Sequence, residues 1–342
     1  MTKRKSNFEL MRIYLMLIII CGHLAIYCGK LDELGTVDYY IANIIRSFCV
    51  FAVNAFVLLS GYFGVSFNPR KAMRISLKVI LYTYCFYALS LLLGLHQLDI
   101  LQDVQFLFPI TTKKYWFITI YFTLCLFSPY LNTLLKTLTQ KELKRCLILG
   151  FIIFYVVATF CFAVNASQIV TDAGYGFLNF IYLYCLGFYI RHYYTDIHSA
   201  RFYLRIYILI SVLLFLANHF MTSIFGFYYI SFISYNTVFV LIGSIALFMF
   251  FKNLNIETNP FLNSCASRSF FVYILHMAPY IPKAIFSDLL MNEAVTGFNL
   301  MIALIGIPFI VYAICWLLDY FADFLLIPLY RLFDKLPNDS SI

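Results

Sequence analysis

The first apolar stretch of the chain, FELMRIYLMLIIICGHLAIYC, carries an arginine and a histidine eleven positions apart. In a helix, eleven steps of 100° make 1100°, about 20° past three full turns, so Arg12 and His23 share one face, about 16 Å apart along the axis. Glu9, three residues before Arg12, is placed to pair with it. Such a face joins a planar cation suited to phosphate or carboxylate with an imidazole able to act as a general base or as a transient carrier of a transferred group. Each residue alone has an ordinary explanation: a snorkel to lipid headgroups for Arg12, a hydrogen bond to a neighbouring helix for His23. Both on one face of an otherwise apolar helix weaken that explanation, because ionisable groups inside a membrane are expensive.

Other polar groups are ambiguous by type. The segment NAFVLLSGYFG contains Ser60, Gly61 and Gly64, small residues that either admit a close neighbour or terminate a helix. In the run NPRKAMR, Lys71 and Arg74 stand beside Arg70, a cluster suited to phosphate groups and equally expected of a loop on the positive side of a membrane. Arg46 lies about two turns from the end of its apolar segment, where it either snorkels outward or binds an acceptor. Trp116, in KKYWF, fits an interfacial aromatic belt as well as a substrate contact. His276, in SRSFFVYILHMAPY, reads first as a satisfied core histidine and second as a substrate contact. Ten cysteines, nearly all inside apolar runs and without a CxxC pair, read as packing residues rather than a metal or redox site.

The elements that position these groups follow from composition. Of 342 residues, 63% are hydrophobic and 12% charged, with a mean hydropathy of +0.86. That is about half the charge of a soluble domain, which excludes a water-soluble globule and, with it, a nucleic-acid reading of the net charge of +8. Ten segments approach the roughly 20 apolar residues that a transmembrane helix needs: 8–28, 39–66, 75–95, 115–135, 146–164, 177–190, 202–220, 228–251, 268–287 and 299–323. The sixth is short and the ninth carries Pro279 and Pro282, so both are expected to be tilted or broken. The first run is too long for a cleavable signal peptide, lacks a small-residue cleavage site and carries Glu9, Arg12 and His23. Sixteen basic residues fall at the N-terminus (Lys3, Arg4, Lys5), in alternate loops and at the C-terminus (Arg331, Lys335), against four in the opposite loops: Lys30, Lys113, Lys114 and Lys283. The expectation is an all-α integral membrane protein, a polytopic bundle of about ten transmembrane helices with both termini cytoplasmic. It is a single domain over 1–342 with no appended soluble domain, since the longest outside loop covers only about 96–114.

In order and spacing these residues resemble the acyltransferase-3 family of membrane acyltransferases, which modify bacterial surface glycans and some lipids with acyl groups. That family's first helix carries an acidic residue, then arginine, then histidine after ten intervening residues, matched here by Glu9, Arg12 and His23. An aromatic-rich run before Ser-Gly-aromatic is similar to Phe56 to Tyr62, a K/R-x-x-R pair to Lys71 and Arg74, and an aromatic run closing on histidine to Phe270 to His276. The similarity covers essentially the whole chain; no single motif is specific, and order and spacing together carry it. Glu9 stands where aspartate is more usual, and no periplasmic esterase-like domain is attached, as it is in some members.

The resemblance implies a multi-pass enzyme of the bacterial cytoplasmic membrane. It would move an acyl group, most commonly acetyl, from cytosolic acyl-CoA to a hydroxyl of a cell-surface polysaccharide or its lipid-linked oligosaccharide precursor. Arg12, Lys71 and Arg74 would hold the donor's phosphates, His23 would be base or acyl carrier, Glu9 would orient Arg12, and no metal would take part. Arg46, Trp116 and His276 are the further candidates for contact with the acceptor. Two rivals use similar many-span, aromatic-rich bundles: a flippase or transporter for lipid-linked sugars, and a polysaccharide polymerase. A flippase should show an internal repeat or discontinuous helices in both halves, whereas one proline-broken span is visible. A polymerase would be expected to carry a large outside loop with acidic and arginine residues.

Overall fold

The computed structural model describes residues 5–164, 166, 172–226, 231–290 and 294–334. Lys3, Arg4 and Lys335, counted above toward orientation, lie outside these residues, as do positions 228–230 of the eighth expected span and the side chain of Lys113.

Helix α1, Ser6–Tyr27, carries the arginine and the histidine. Met11, Leu15, Ile20 and Leu24 are fully buried on it, so packing on several sides rather than one amphipathic stripe holds it in place. The chain returns through α2, Val37–Cys49, and α3, Ala52–Phe63, one passage that was expected to be continuous over 39–66. It breaks at Val50–Phe51, where Tyr207 donates to the Phe48 carbonyl (2.7 Å) and Ser244 to the Phe51 carbonyl (3.0 Å). In hydrocarbon such a break survives only where neighbouring helices supply donors to the exposed backbone.

α4, Pro69–Leu92, starts on Asn68, whose side chain accepts from the Lys71 N–H, with Pro69 preset for the first turn. α5, Ile100–Leu107, is a short helix in the long segment between α4 and the next long helix. α6, Trp116–Thr137, follows; then α7, Gln140–Phe151, opens on a Thr139/Glu142 capping box and passes through a π-helical turn into α8, Val157–Ala163. α9, Phe177–His192, and α10, Ala200–Phe225, come next. α11, Val238–Lys252, begins later than the expected 228 because the Thr237 hydroxyl caps it, accepting from the Val240 N–H. α12, Pro260–Ser267, and α13, Ser269–His276, run together and then meet α14, Ile281–Leu290, at a bend of 82°. Pro279 and Pro282 bracket that bend, as expected, with Tyr280 between them at φ 60°. α15, Gly297–Asp334, closes the bundle.

Among the described residues seven helical passages are long and apolar enough to cross a membrane, or eight if the bent pair is one; α9 and α11 have 16 and 15 residues. The fold is that of an all-α polytopic membrane protein. α1 is central, touching α2, α3 and α11 to α15. A Cβ on Gly61 would lie 2.1 Å from the Tyr184 carbonyl oxygen and one on Gly187 2.3 Å from that of Leu58, so α3 and α9 meet backbone to backbone. Gly61 therefore admits a helix, whereas Gly64, at φ 74°, terminates one. Phe8 packs on Tyr62 and Phe63, and the Asn7 side chain donates to the carbonyls of Phe251 and Lys252. The start of α1, the end of α3, the start of α4 and the end of α11 thus share one end of the bundle, the basic end below.

Candidate active site

A cavity of about 990 Å³ opens between α1, the broken α2–α3 passage, α4, α6, α12, α13 and α15. Arg12 and His23 both line it, as their shared face requires. Six Lys and Arg side chains line it in all, Arg12, Arg46, Lys71, Arg74, Lys78 and Arg268, against one carboxylate, Asp323. Lys78 and Arg268 are paired with carboxylates in the wall, so Arg12 and Lys71 carry the attraction for an anionic guest.

At the basic end Lys71 and Arg74 rise from the first turns of α4. Lys71 is exposed; the half-buried Arg74 guanidinium lies 5.1 Å above the Tyr330 ring. Glu9 is buried behind Arg12, both carboxylate oxygens accepting from Arg12 Nη1 at 3.5 Å. That long contact orients the guanidinium and leaves it facing the cavity.

Deeper in, His23 does not stand alone. Its Nδ1 lies 3.0 Å from Nε2 of His276, and Nδ1 of His276 lies 2.9 Å from the Val272 carbonyl. A carbonyl only accepts, so the His276 Nδ1 carries the proton. With both rings neutral, His276 Nε2 must then accept and His23 Nδ1 must donate, which assigns the tautomers from the hydrogen bonds alone. The free lone pair of His23 sits on Nε2, the atom of a cavity-lining ring that the relay does not use. His276 is buried and does not line the cavity, so it stands behind the His23 ring rather than on the cavity surface.

The end beyond His23 is aromatic. Trp116 lines it, stacked on Tyr235 with ring centroids 5.6 Å apart and edge-on to Tyr175 at 4.6 Å. Arg46 lines the same end, within electrostatic reach of His23, Tyr175 and Tyr235. Ser60 faces the cavity midway, donating to the Phe56 carbonyl and accepting from the Tyr121 hydroxyl.

Sequence reading missed a cluster in the cavity wall. Lys78 and Arg268, basic residues within or at the ends of the expected spans 75–95 and 268–287, each reach both Asp319 and Asp323 at 2.5–2.7 Å. The available signal was Asp319 and Asp323 spaced i,i+4 in an apolar segment, since an intramembrane carboxylate needs a named partner.

A histidine–aspartate pair also exists, away from the cavity. His96 Nε2 lies 2.9 Å from Asp103 Oδ1, and the His96 ring stacks on Tyr280 at 4.1 Å, tying α5 to the bend after α13. Burial pushes the Asp103 carboxyl up, but hydrogen bonds from Tyr87, the Asp99 N–H and His96 outweigh it and hold the group below the usual carboxylate range.

An all-α membrane bundle with a basic cavity reaching a half-buried imidazole backed by a second histidine has the form of a membrane transferase. The chain matches the acyltransferase-3 family, described as an acyltransferase domain, over residues 5–320 of 342, and it belongs to that family. It is a membrane acyltransferase. No curated protein and no solved structure matches it.

Proposed function

We propose that this acyltransferase moves an acyl group, acetyl in the first instance, from acyl-CoA to a hydroxyl of a cell-surface polysaccharide or its lipid-linked precursor. The donor enters from the cytosol at the basic end, in keeping with the sixteen-to-four distribution of basic residues, and both termini lie on that side of a bacterial cytoplasmic membrane. The observation that carries this function is the single cavity that joins Lys71, Arg74 and Arg12 to His23 and then to the aromatic end with Trp116 and Arg46.

The donor's phosphates are held by Lys71, Arg74 and Arg12 through charge-assisted hydrogen bonds. The pantetheine arm spans the remaining distance, about 16 Å along α1, and delivers the thioester carbonyl to His23. His23 Nε2 removes the proton of the acceptor hydroxyl as its oxygen bonds to the carbonyl carbon; the C–S bond then breaks and the same proton passes to the departing thiolate. The His276 relay keeps Nε2 unprotonated at the start of each cycle. Trp116 and the neighbouring tyrosines stack on a sugar ring, and Arg46 lies beside it.

The test is His23→Ala in cells that make the glycan. General-base loss is worth about 10²–10⁴-fold, so acyl signals should vanish from the NMR spectrum of the purified polymer while polymer yield is unchanged. Fully acylated polymer would overturn the role of His23. A strain that makes no surface polymer would indicate a flippase or polymerase instead.

A further inference from the structure

Four charges that the transfer step does not use meet in the wall of the cavity. Asp319 of α15, wholly buried, accepts from Lys78 Nζ (2.6 Å), the Tyr82 hydroxyl (2.6 Å) and Arg268 Nη1 (2.5 Å). Asp323, one turn on, pairs with the same two cations at 2.7 and 2.6 Å and accepts from the Tyr330 hydroxyl at 3.2 Å. Two cations face two carboxylates, so the cluster is neutral and adds little pull on a phosphate. Nor is stability a sufficient reason for it, because desolvating four charges is costly and apolar side chains of similar volume commonly serve as well.

What the cluster fixes is position. Arg268 is the residue immediately before α13, and the next residue, Ser269, shares a 2.9 Å hydrogen bond with Tyr312, also on α15. The base of α13 is thereby pinned to α15 twice. α13 has only eight residues, about 12 Å of helix, and its last residue is His276. Beyond His276 the chain turns through 82°, so the helix does not continue straight to steady that ring from the other side.

We propose that the Lys78–Asp319–Asp323–Arg268 cluster is a positioning device for His276. It sets the height of α13 in the bundle and so maintains the 3.0 Å contact that selects the His23 tautomer. Asp319, which holds both cations and lies outside the cavity lining, is the positioning residue. A displacement of about 1 Å at a reacting group is worth about 10²-fold in rate, and loss of the anchor at the α12–α13 junction should move the end of this segment, His276, by a comparable amount. The proposal rests on His23 being the base of an acyl-CoA-dependent transfer.

The experiment follows free thiol released from acetyl-CoA by membranes carrying the full chain. Asp319→Asn should lower kcat at least about tenfold and leave KM for acetyl-CoA within about twofold. In a His276→Ala background the same substitution should add nothing, because both changes act through one contact. As Asp319→Asn leaves two cations facing one carboxylate, Arg268→Met combined with Asp319→Leu is measured beside it; that variant removes a whole pair and leaves Lys78 with Asp323. It should insert normally and show the same loss of kcat. Unchanged kcat in either variant, a loss that adds to that of His276→Ala, or failure of both variants to accumulate would overturn the positioning role. His23→Ala separates the two levels: thiol release at the wild-type rate would remove His23 as the base, whereas a dead His23→Ala with additive Asp319 and His276 effects would remove the positioning role alone.

Discussion

Two sets of basic side chains line one cavity in different settings. Lys78 and Arg268 are each locked to the same two carboxylates at 2.5–2.7 Å, in a wall where Asp319 has no exposure at all. Lys71 and Arg74 sit on the first turns of α4, one exposed and one half-buried, facing the cavity. The difference teaches that a cation in a membrane enzyme is identified less by its type than by where it is held. Buried against protein carboxylates, Lys78 and Arg268 are held in the wall; Lys71, exposed on the first turn of α4, faces the cavity mouth.

The comparison breaks most visibly at Lys78. Lys78→Met leaves two carboxylates facing one cation in the bilayer interior, which should cost on the order of 3–5 kcal/mol of stability and sharply reduce the protein recovered from membranes by immunoblot. If Lys78→Met accumulates like the wild type, the division into wall cations and mouth cations fails. Lys71→Ala with Arg74→Ala should do the reverse. Charge-assisted contacts are worth about 1.5–3 kcal/mol each, so KM for acyl-CoA should rise at least about tenfold in thiol-release assays while membrane content stays the same.

Arg12 lies between these extremes, since Glu9 touches it only at 3.5 Å. Arg12→Lys keeps the charge and loses the planar fork, so the donor KM should rise about threefold to tenfold if the contact is bidentate; an unchanged KM would return Arg12 to a headgroup snorkel. The smallest effect belongs to a carboxylate outside the bilayer. Asp103 is held below its ordinary value, so its contribution to stability is present above about pH 4 and is lost as pH falls through the lowered folded value. The gap in melting temperature between wild type and Asp103→Asn in detergent should therefore narrow on acidification, and a gap that widened would mean that the hydrogen bonds to Asp103 are not made.

Arg12 and His23 were legible because helical periodicity fixes which residues share a face, and one residue more or less would have placed them apart. Lys71 and Arg74 stood out only as a basic cluster equally expected of a loop on the positive side of a membrane; that both line the cavity is visible in the structure alone. The bend at Pro279 and Pro282 announced itself through residues that cannot continue a helix. The break at Val50–Phe51 did not, since both residues suit a helix and the break is maintained by donors from α10 and α11. His276 could be seen as a histidine but not as the partner of His23, which lies 253 positions away. Trp116 has the sequence of a belt residue, and only its neighbours Tyr175 and Tyr235, from two other segments, show that it lines the cavity. Long-range pairings of this kind have no period to betray them.

The relay behind His23 ends on the Val272 carbonyl, a group that accepts a hydrogen bond but takes up no proton. It is a mooring rather than a wire. In the transfer proposed above, the proton that His23 collects leaves on the departing thiol, so turnover would neither spend nor build an electrochemical gradient. Acylation in sealed vesicles supplied with donor should then run at the same rate before and after an uncoupler collapses the membrane potential.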